Sequence, residues 1–229
     1  MKRVLYTPTP EEVKRMIEAA ESDRDRMIIM ILAYWGLREA ELVGDIRRLR
    51  KSEKIDEKAV LRNIQEWEKI HGYKLDVFKD GKIRPVIPGL HVEDIDWERN
   101  CVTIYGKGWS TGRTAPEIHP VSKETLKILR EYLLKHEIIR GKIFKLSTRT
   151  VRHIVKEIAL KAVPRYGRYI SPHRLRAFYI TMLVDKYGIA KAREMARHSD
   201  ISVTQIYYTV SEEEKRRMAE DVFSGLPKM

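Results

Sequence analysis

The sequence predicts an α+β fold, mainly helical, with one small antiparallel sheet. Three observations lead there. Most of the chain carries apolar residues three and four apart, the spacing of a helix buried on one face. Residues 91–119 read instead as short strands around a glycine-rich turn, Gly106-Lys107-Gly108-Trp109-Ser110-Thr111-Gly112. And the 229 residues are 43% hydrophobic, too many for a disordered chain and enough to bury a core without disulfides. The single Cys101 excludes a disulfide framework and any cysteine-based zinc site.

Taken in order, Thr9-Pro10-Glu11-Glu12 is a helix start, with Thr9 as cap, proline at the first helical position and Glu12 closing a capping box. Val13, Met16, Ile17 and Ala20 carry that helix to about residue 20. A second, very apolar helix runs through residues 27–32 and stops near Gly36; a third begins at Arg38 or just after it. From about 46 to 89 the chain turns highly charged and reads as an insert with little core of its own. It holds a helix over 54–70 and a hairpin of 73–78 with 83–87 about Lys79-Asp80-Gly81-Lys82. Strands are expected over 91–95 and 101–105, with a weaker signal over 113–119. After Pro120 the chain is helical over 121–136, 147–162, 171–186, 189–197 and 211–223. Ser147 caps the second of these helices and Ser171-Pro172 opens the third. There are no repeats or low-complexity tracts, and a single domain over 1–229 is expected.

The chain has 45 Lys and Arg against 33 Asp and Glu, a net +12. Between residues 138 and 176 there are eleven basic residues and one acid, Glu157, so a net +10 sits in this stretch alone. Such a block is either a surface for a polyanion, most commonly nucleic acid, or a solvated basic face. Only two Asn and two Gln stand among many Lys, Arg and Glu, a bias of high-temperature proteins. No apolar run reaches about 18 residues and the N-terminus has no signal-peptide core, so an intracellular, DNA-associated protein away from any membrane is expected.

The residues with most chemistry lie late in the chain: His173-Arg174-Leu175-Arg176, then Arg197-His198 and, nine residues on, Tyr207-Tyr208. On a helix His173 and Arg176 share a face, which sets a group that exchanges protons near neutrality beside a cation that cannot be discharged. That pair suits an anionic substrate needing both clamping and proton transfer, such as a phosphodiester. Read singly, it is equally an Arg–His pair on an exposed helix, His198 a partly buried histidine and Tyr207 a core aromatic.

Together these residues resemble the tyrosine recombinase family, which includes phage-type integrases, archaeal virus or plasmid integrases and Xer-like resolvases of chromosome dimers. The family's closing pattern, His-x-Leu-Arg followed by Gly-His-x-x-x-x-x-Thr-x-x-Tyr, is matched by His173 to Arg176 and by His198, Thr204 and Tyr207. An earlier box, Gly-x-Arg-x-x-Glu-Leu, is matched by Gly36, Arg38, Glu41 and Leu42. The hairpin box is matched by Gly106-Lys107-Gly108 with Arg113 and Pro116, and Phe144-Lys-Leu-Ser147 before the next helix also fits. Four boxes in order cover nearly the whole chain. The departures are Arg197 where the family has glycine, Ala177-Phe178 where it has His-Thr, and about 45 extra residues between Arg38 and Lys107. The N-terminal core-binding domain of many members is expected to be absent.

The resemblance implies the catalytic domain of a site-specific DNA recombinase acting through a 3′-phosphotyrosyl intermediate, in integration, excision or dimer resolution. It implies Tyr207 as nucleophile, with Tyr208 beside it as a competitor. Arg38 and Arg176 would clamp the scissile phosphate, and Lys107, at the tip of a mobile hairpin, would protonate the leaving oxygen. His173 would act as general base, His198 would donate to a phosphate oxygen, and Glu41 would support Arg38. No metal and no cofactor are expected. The partner would be a double-stranded DNA attachment site, with the chain a homo-oligomer on DNA, dimer to tetramer. The basic helix before the His173 box is expected to lie against DNA through Thr148, Arg149, Arg152 and Lys156, with Arg174 nearby. Residues 211–223 would dock on a neighbouring protomer or on their own domain, and Arg47, Arg48, Arg50 and Lys51 would add to the DNA grip. Two other functions fit the same residues: a type IB topoisomerase-like nicking and closing enzyme, and a non-catalytic DNA-binding remnant of a split integrase.

Overall fold

Most helices begin where the sequence supplies an acceptor for the first backbone amides, which have no partner inside the helix. The structure, a computed structural model, describes residues 6–46, 53–79 and 81–197. Helix α1 (Pro10–Ala19) opens with the expected capping box: Glu12 N donates to Thr9 Oγ1 at 3.2 Å, and Thr9 N donates to Glu12 Oε2 at 2.8 Å. Helix α2 (Asp23–Tyr34) is capped by Ser22 and buries every residue from Met27 to Ala33. Helix α3 (Glu39–Val43) is short and is followed by strand β1 (Asp45–Ile46). Asp56 caps helix α4 (Glu57–His71), the helix of the insert, which ends at Gly72 in the left-handed conformation.

Six short strands follow: β2 (Phe78–Lys79), β3 (Lys82–Ile83), β4 (Val86–Ile87), β5 (Ile95–Asp96), β6 (Cys101–Ile104) and β7 (Glu117–Pro120). Helices α5 (Lys123–Lys135), α6 (Thr148–Ala162) and α7 (Pro172–Met195) close the described chain. Ser122 and Ser147 cap α5 and α6. Helix α7 is broken at Gly188 (φ 79°, ψ 164°), the break the sequence places between 186 and 189. The chain divides into two units, Met1–Tyr179 and Ile180–Met229.

The main core of the first unit is made by α1, α2, α5 and α6, with Ile28, Ile29, Ile31, Leu32, Leu129, Phe144, Val151 and Val155 fully or almost fully buried. At about 1.5–3 kcal/mol for each large apolar side chain taken out of water, these residues supply the main drive to fold. The sheet β5-β6-β7 is antiparallel, pairing Val102 with both Ile95 and His119.

Four expectations are corrected. Three small antiparallel sheets are found among the described residues where one was expected. The expected strand over 91–95 is a 3₁₀ turn, Val92–Asp94, because the Asp94 carboxylate captures the His91 amide at 2.8 Å and curls the backbone before β5. The hairpin of the insert is cut short: β2 pairs only with β3, Pro85 interrupts the second arm, and β4 pairs with β1. And the insert does have a core, in which Val60, Ile64 and Trp67 of α4 bury against Val77, Val86, Tyr105 and Trp109. The charge on its outer face hides that core in a reading of composition.

A buried ion pair ties the insert to the rest of the fold. His71, at the end of α4, has its Nε2 at 2.9 Å from Asp94 Oδ1 and its Nδ1 at 2.8 Å from the Trp67 carbonyl. Both neighbours only accept, so the ring carries both protons and is charged. Burial alone would lower its pKa. The hydrogen bonds to Asp94 and Trp67, with the charges of Asp94 and Glu93, outweigh burial, and the net shift is upward. Tyr73, His91 and Tyr105 complete the surroundings, and burial followed by the charge of Asp94 pushes the Tyr105 phenol above its ordinary range. A group with a raised pKa contributes stability that is present below its unfolded value, about 6.5, and lost as pH rises through the folded value. Asp94→Asn is therefore expected to cost about 3–5 kcal/mol in thermal or denaturant unfolding. It should also remove a component of stability that fades in the wild type as pH rises through the raised pKa of His71.

Candidate active site

The site is built on a turn that only glycine fits. Gly36, after α2, has φ +60°, and a Cβ there would lie 2.2 Å from the ring of Tyr179. With no side chain in the way, the Gly36 carbonyl accepts a hydrogen bond from Nη1 of Arg176, 140 residues further on and almost wholly buried. His119 supports the same corner, its Nε2 at 2.9 Å from the Trp35 carbonyl. The chain leaves this turn through buried Leu37 and presents Arg38 at the head of α3. Glu41, three residues on, accepts the Arg38 backbone amide at 2.9 Å through one oxygen and Nη1 at 2.6 Å through the other. The carboxylate is 1% exposed and the arginine side chain 45%, so a fixed anion aims an open cation.

Opposite stands the start of α7, where Ser171 and Pro172 open the helix and set His173 and Arg176 on one face. Arg38, Glu39, Arg152, Ser171, His173 and Arg176 line one cleft of about 310 Å³. The imidazole of His173 reaches solvent at the rim, while the cleft walls desolvate the rest of it. That desolvation, then the charges of Arg174, Arg176 and Arg38, push its pKa below the ordinary value, with Glu39 opposing. The ring is therefore neutral near pH 7 and able to accept a proton. The first turn of α7, which carries no acid, also points its positive pole at the cleft. The arrangement suits a tetrahedral anion: two clamping guanidiniums, a helix N-terminus and a neutral base.

Arg152 lines the cleft but is ion-paired with Glu39. Other members of the basic block have partners elsewhere in the chain or are partly buried. Lys156 donates to the Arg168 carbonyl, Lys161 pairs with Glu21, and the Lys142 amine is drawn down in pKa by burial. Arg149 is exposed, and Thr148 and Arg174 are half-buried. No acid occupies the first turn of α6, so its N-terminus is open to an anion beside Thr148 and Arg149.

Lys107 is not among the cleft residues. Its side chain is half exposed and ion-paired with Glu53 of the insert. Nor is it at the tip of a free hairpin as expected: residues 106–112 close into a 3₁₀ turn, Trp109–Thr111, whose three side chains are buried. The insert grips this turn directly, with Asp56 N donating to the Thr111 carbonyl at 3.1 Å and Asn63 Nδ2 to the Trp109 carbonyl at 3.0 Å. The turn still lies beside the cleft, since a Cβ on Gly106 would stand 3.5 Å from Glu41 Oε1.

His198, Thr204, Tyr207, Tyr208, the helix expected over 211–223 and the basic residues 47–51 lie outside the described residues. Arg197 has φ +56°, the left-handed backbone that the glycine of the family pattern adopts without cost. Sequence reasoning missed Glu39 and Glu53. Glu39 is adjacent to a residue it did choose, but no spacing relates position 39 to 152 or 53 to 107.

Residues 87–214 match the model of the phage integrase family, more than half of the chain. The tyrosine recombinase XerA of Pyrococcus furiosus is 28% identical over 212 residues, covering 89% of this chain and 57% of that protein. The chain thus spans under two thirds of that relative's length. Among solved structures, that of a XerA recombinase superposes with a TM-score of 0.62 at 20% identity, covering 100% of this chain and 68% of that one. The XerH site-specific recombinase bound to its difH substrate, in a pre-cleavage complex, superposes at 0.58 and 17%, covering 96% and 55%.

Two measurements test the site as built. In an NMR titration His173 should lose its proton below about pH 6.5, and Arg174→Gln, which removes the positive charge that lowers it most, should raise that value. Gly36→Ala should lower the unfolding temperature by the equivalent of about 1–3 kcal/mol, since the Tyr179 ring must move and the backbone is held at φ +60°.

Proposed function

The chain belongs to the phage integrase family, and on that premise we propose that it is a site-specific DNA recombinase working through a phosphotyrosyl intermediate on Tyr207. The observation that carries this reading is the cleft, where Arg38, His173 and Arg176, from boxes far apart in sequence, line one pocket beside a helix N-terminus. The solved complex of XerH with its difH substrate supports duplex DNA as the ligand.

The chemistry follows from these groups. The Tyr207 oxygen attacks the phosphorus of one strand, its proton passing to His173, which the cleft keeps neutral. Arg38 and Arg176 hold the non-bridging oxygens, where charge builds as the phosphorus becomes five-coordinate. His198 donates to one of those oxygens. The P–O5′ bond breaks, Lys107 gives its proton to the departing 5′-oxygen, and the strand end leaves as a hydroxyl. The phosphotyrosyl link keeps the energy of the phosphodiester, so the 5′-hydroxyl of another strand reverses the step and joins to it. Exchange between two sites calls for several copies on DNA, and a homo-oligomer is part of the proposal. The exposed Arg149 and the open N-terminus of α6 carry the flanking backbone.

A suicide duplex, nicked just beyond the scissile phosphate of an attachment site, tests the reading. The wild type should accumulate a covalent protein–DNA adduct at Tyr207, and Tyr207→Phe should bind the duplex without forming it. Adduct formation by Tyr207→Phe would reassign the nucleophile. Relaxation of supercoils without strand exchange would point to a nicking and closing enzyme instead. Arg149→Ala should weaken binding to all sequences alike and reduce the slope of log K against log salt by about 1.

A further inference from the structure

We infer that Glu53 is a positioning residue for the reaction, holding Lys107 away from the cleft until DNA draws it in; this rests on the proposed recombinase function. The two ends of the ion pair are unlike. The Glu53 side chain is 8% exposed and that of Lys107 50%. The carboxylate is set in the insert and the lysine is the part free to swing. Around them residues 53–56 run along the glycine-rich turn: Arg113 Nη2 donates to the Lys54 carbonyl at 3.2 Å, and Asp56 N to the Thr111 carbonyl at 3.1 Å. The turn is also closed on itself, the Ser110 hydroxyl donating to the Lys107 carbonyl at 2.9 Å. The backbone of Lys107 is thereby held next to Gly106, which abuts Glu41, the partner of Arg38. With the backbone of the turn held in this way, the side chain is the part that moves toward the cleft in this proposal.

Moving the lysine separates it from a carboxylate that stays almost buried, an unfavourable step that a bare side chain would not face. A phosphodiester bound between Arg38 and Arg176 offers the ammonium a second anion and offsets that cost. Lysine then gives its proton to the 5′-oxygen as the P–O5′ bond breaks, becomes the neutral amine, and regains a proton from solvent. Glu53 thus makes the acid available chiefly when the clamp is filled.

The test compares two suicide duplexes at saturating concentration, one with the ordinary scissile phosphodiester and one with sulfur in place of the bridging 5′-oxygen. A thiolate leaves without a proton, so any effect exerted through Lys107 disappears on the sulfur substrate. Glu53→Gln should speed single-turnover cleavage of the ordinary duplex several-fold and leave the sulfur duplex unchanged, and Glu53→Asp should return the rate toward wild type. Lys107→Ala should slow only the ordinary duplex. Equal effects of Glu53→Gln on both substrates, or a slower ordinary cleavage, would overturn the inference. A readout independent of activity is the acetylation rate of Lys107 by an N-hydroxysuccinimide ester, followed by mass spectrometry. It should be faster in Glu53→Gln than in the wild type, and an unchanged rate would also overturn the inference. Failure of the wild type to form any adduct, with Lys107 freed as expected in Glu53→Gln, would sink the recombinase reading and leave the latch standing.

Discussion

A guanidinium cannot be taken out of water unless its donors find acceptors, and Arg176 is almost wholly buried. One acceptor is the carbonyl of Gly36, from a part of the chain 140 residues away. That requirement draws the end of α2 against the start of α7, and the rest of the cleft follows from it. Glycine at 36 leaves room for Tyr179, the next residues deliver Arg38, and the helix that carries Arg176 also carries His173. A larger residue at 36 would set steric repulsion against the same hydrogen bond.

The cleft concentrates positive charge without leaving it loose. Glu41 spends both oxygens on Arg38 and Glu39 pairs with Arg152, so each guanidinium is aimed before a ligand arrives. Fixing charges beforehand is how a protein stabilises a charged transition state cheaply, because nothing has to reorganise during the reaction. Desolvation by the cleft walls, and after it the same positive charges, keep His173 neutral, which is the protonation state a base needs.

The insert joins this system at two points. At the end of α4, His71 and Asp94 lock it to the turn before β5. Ahead of the helix, Glu53 holds the lysine of the glycine-rich turn, and Trp109 of that turn lies in the insert's own core. A segment that is charged outside and apolar beneath thus stiffens a loop that would otherwise be a free hairpin.

Much of the fold was legible in the sequence. The caps at Thr9 and Ser147, the start of α7 at Ser171-Pro172, the apolar run of α2 and the break at Gly188 are local signals, and local physics decides them. The pairing of Glu41 with Arg38 is also local, three residues apart. What the sequence could not show was every contact made across distance. Asp94 turning a strand into a 3₁₀ turn, β4 leaving its hairpin for β1, and the core under the charged insert each depend on what packs alongside. So does the fate of the basic block, in which Arg152, Lys156 and Lys161 meet partners that no spacing predicts. By itself the sequence determined the helices, their caps and breaks, and the order of the boxes that hold Arg38, Lys107, His173 and Arg176, because helix and turn periods are properties of neighbouring residues. Only the tertiary structure decided which charges face the cleft and which are held back, because pairing between charges is set by distance in space.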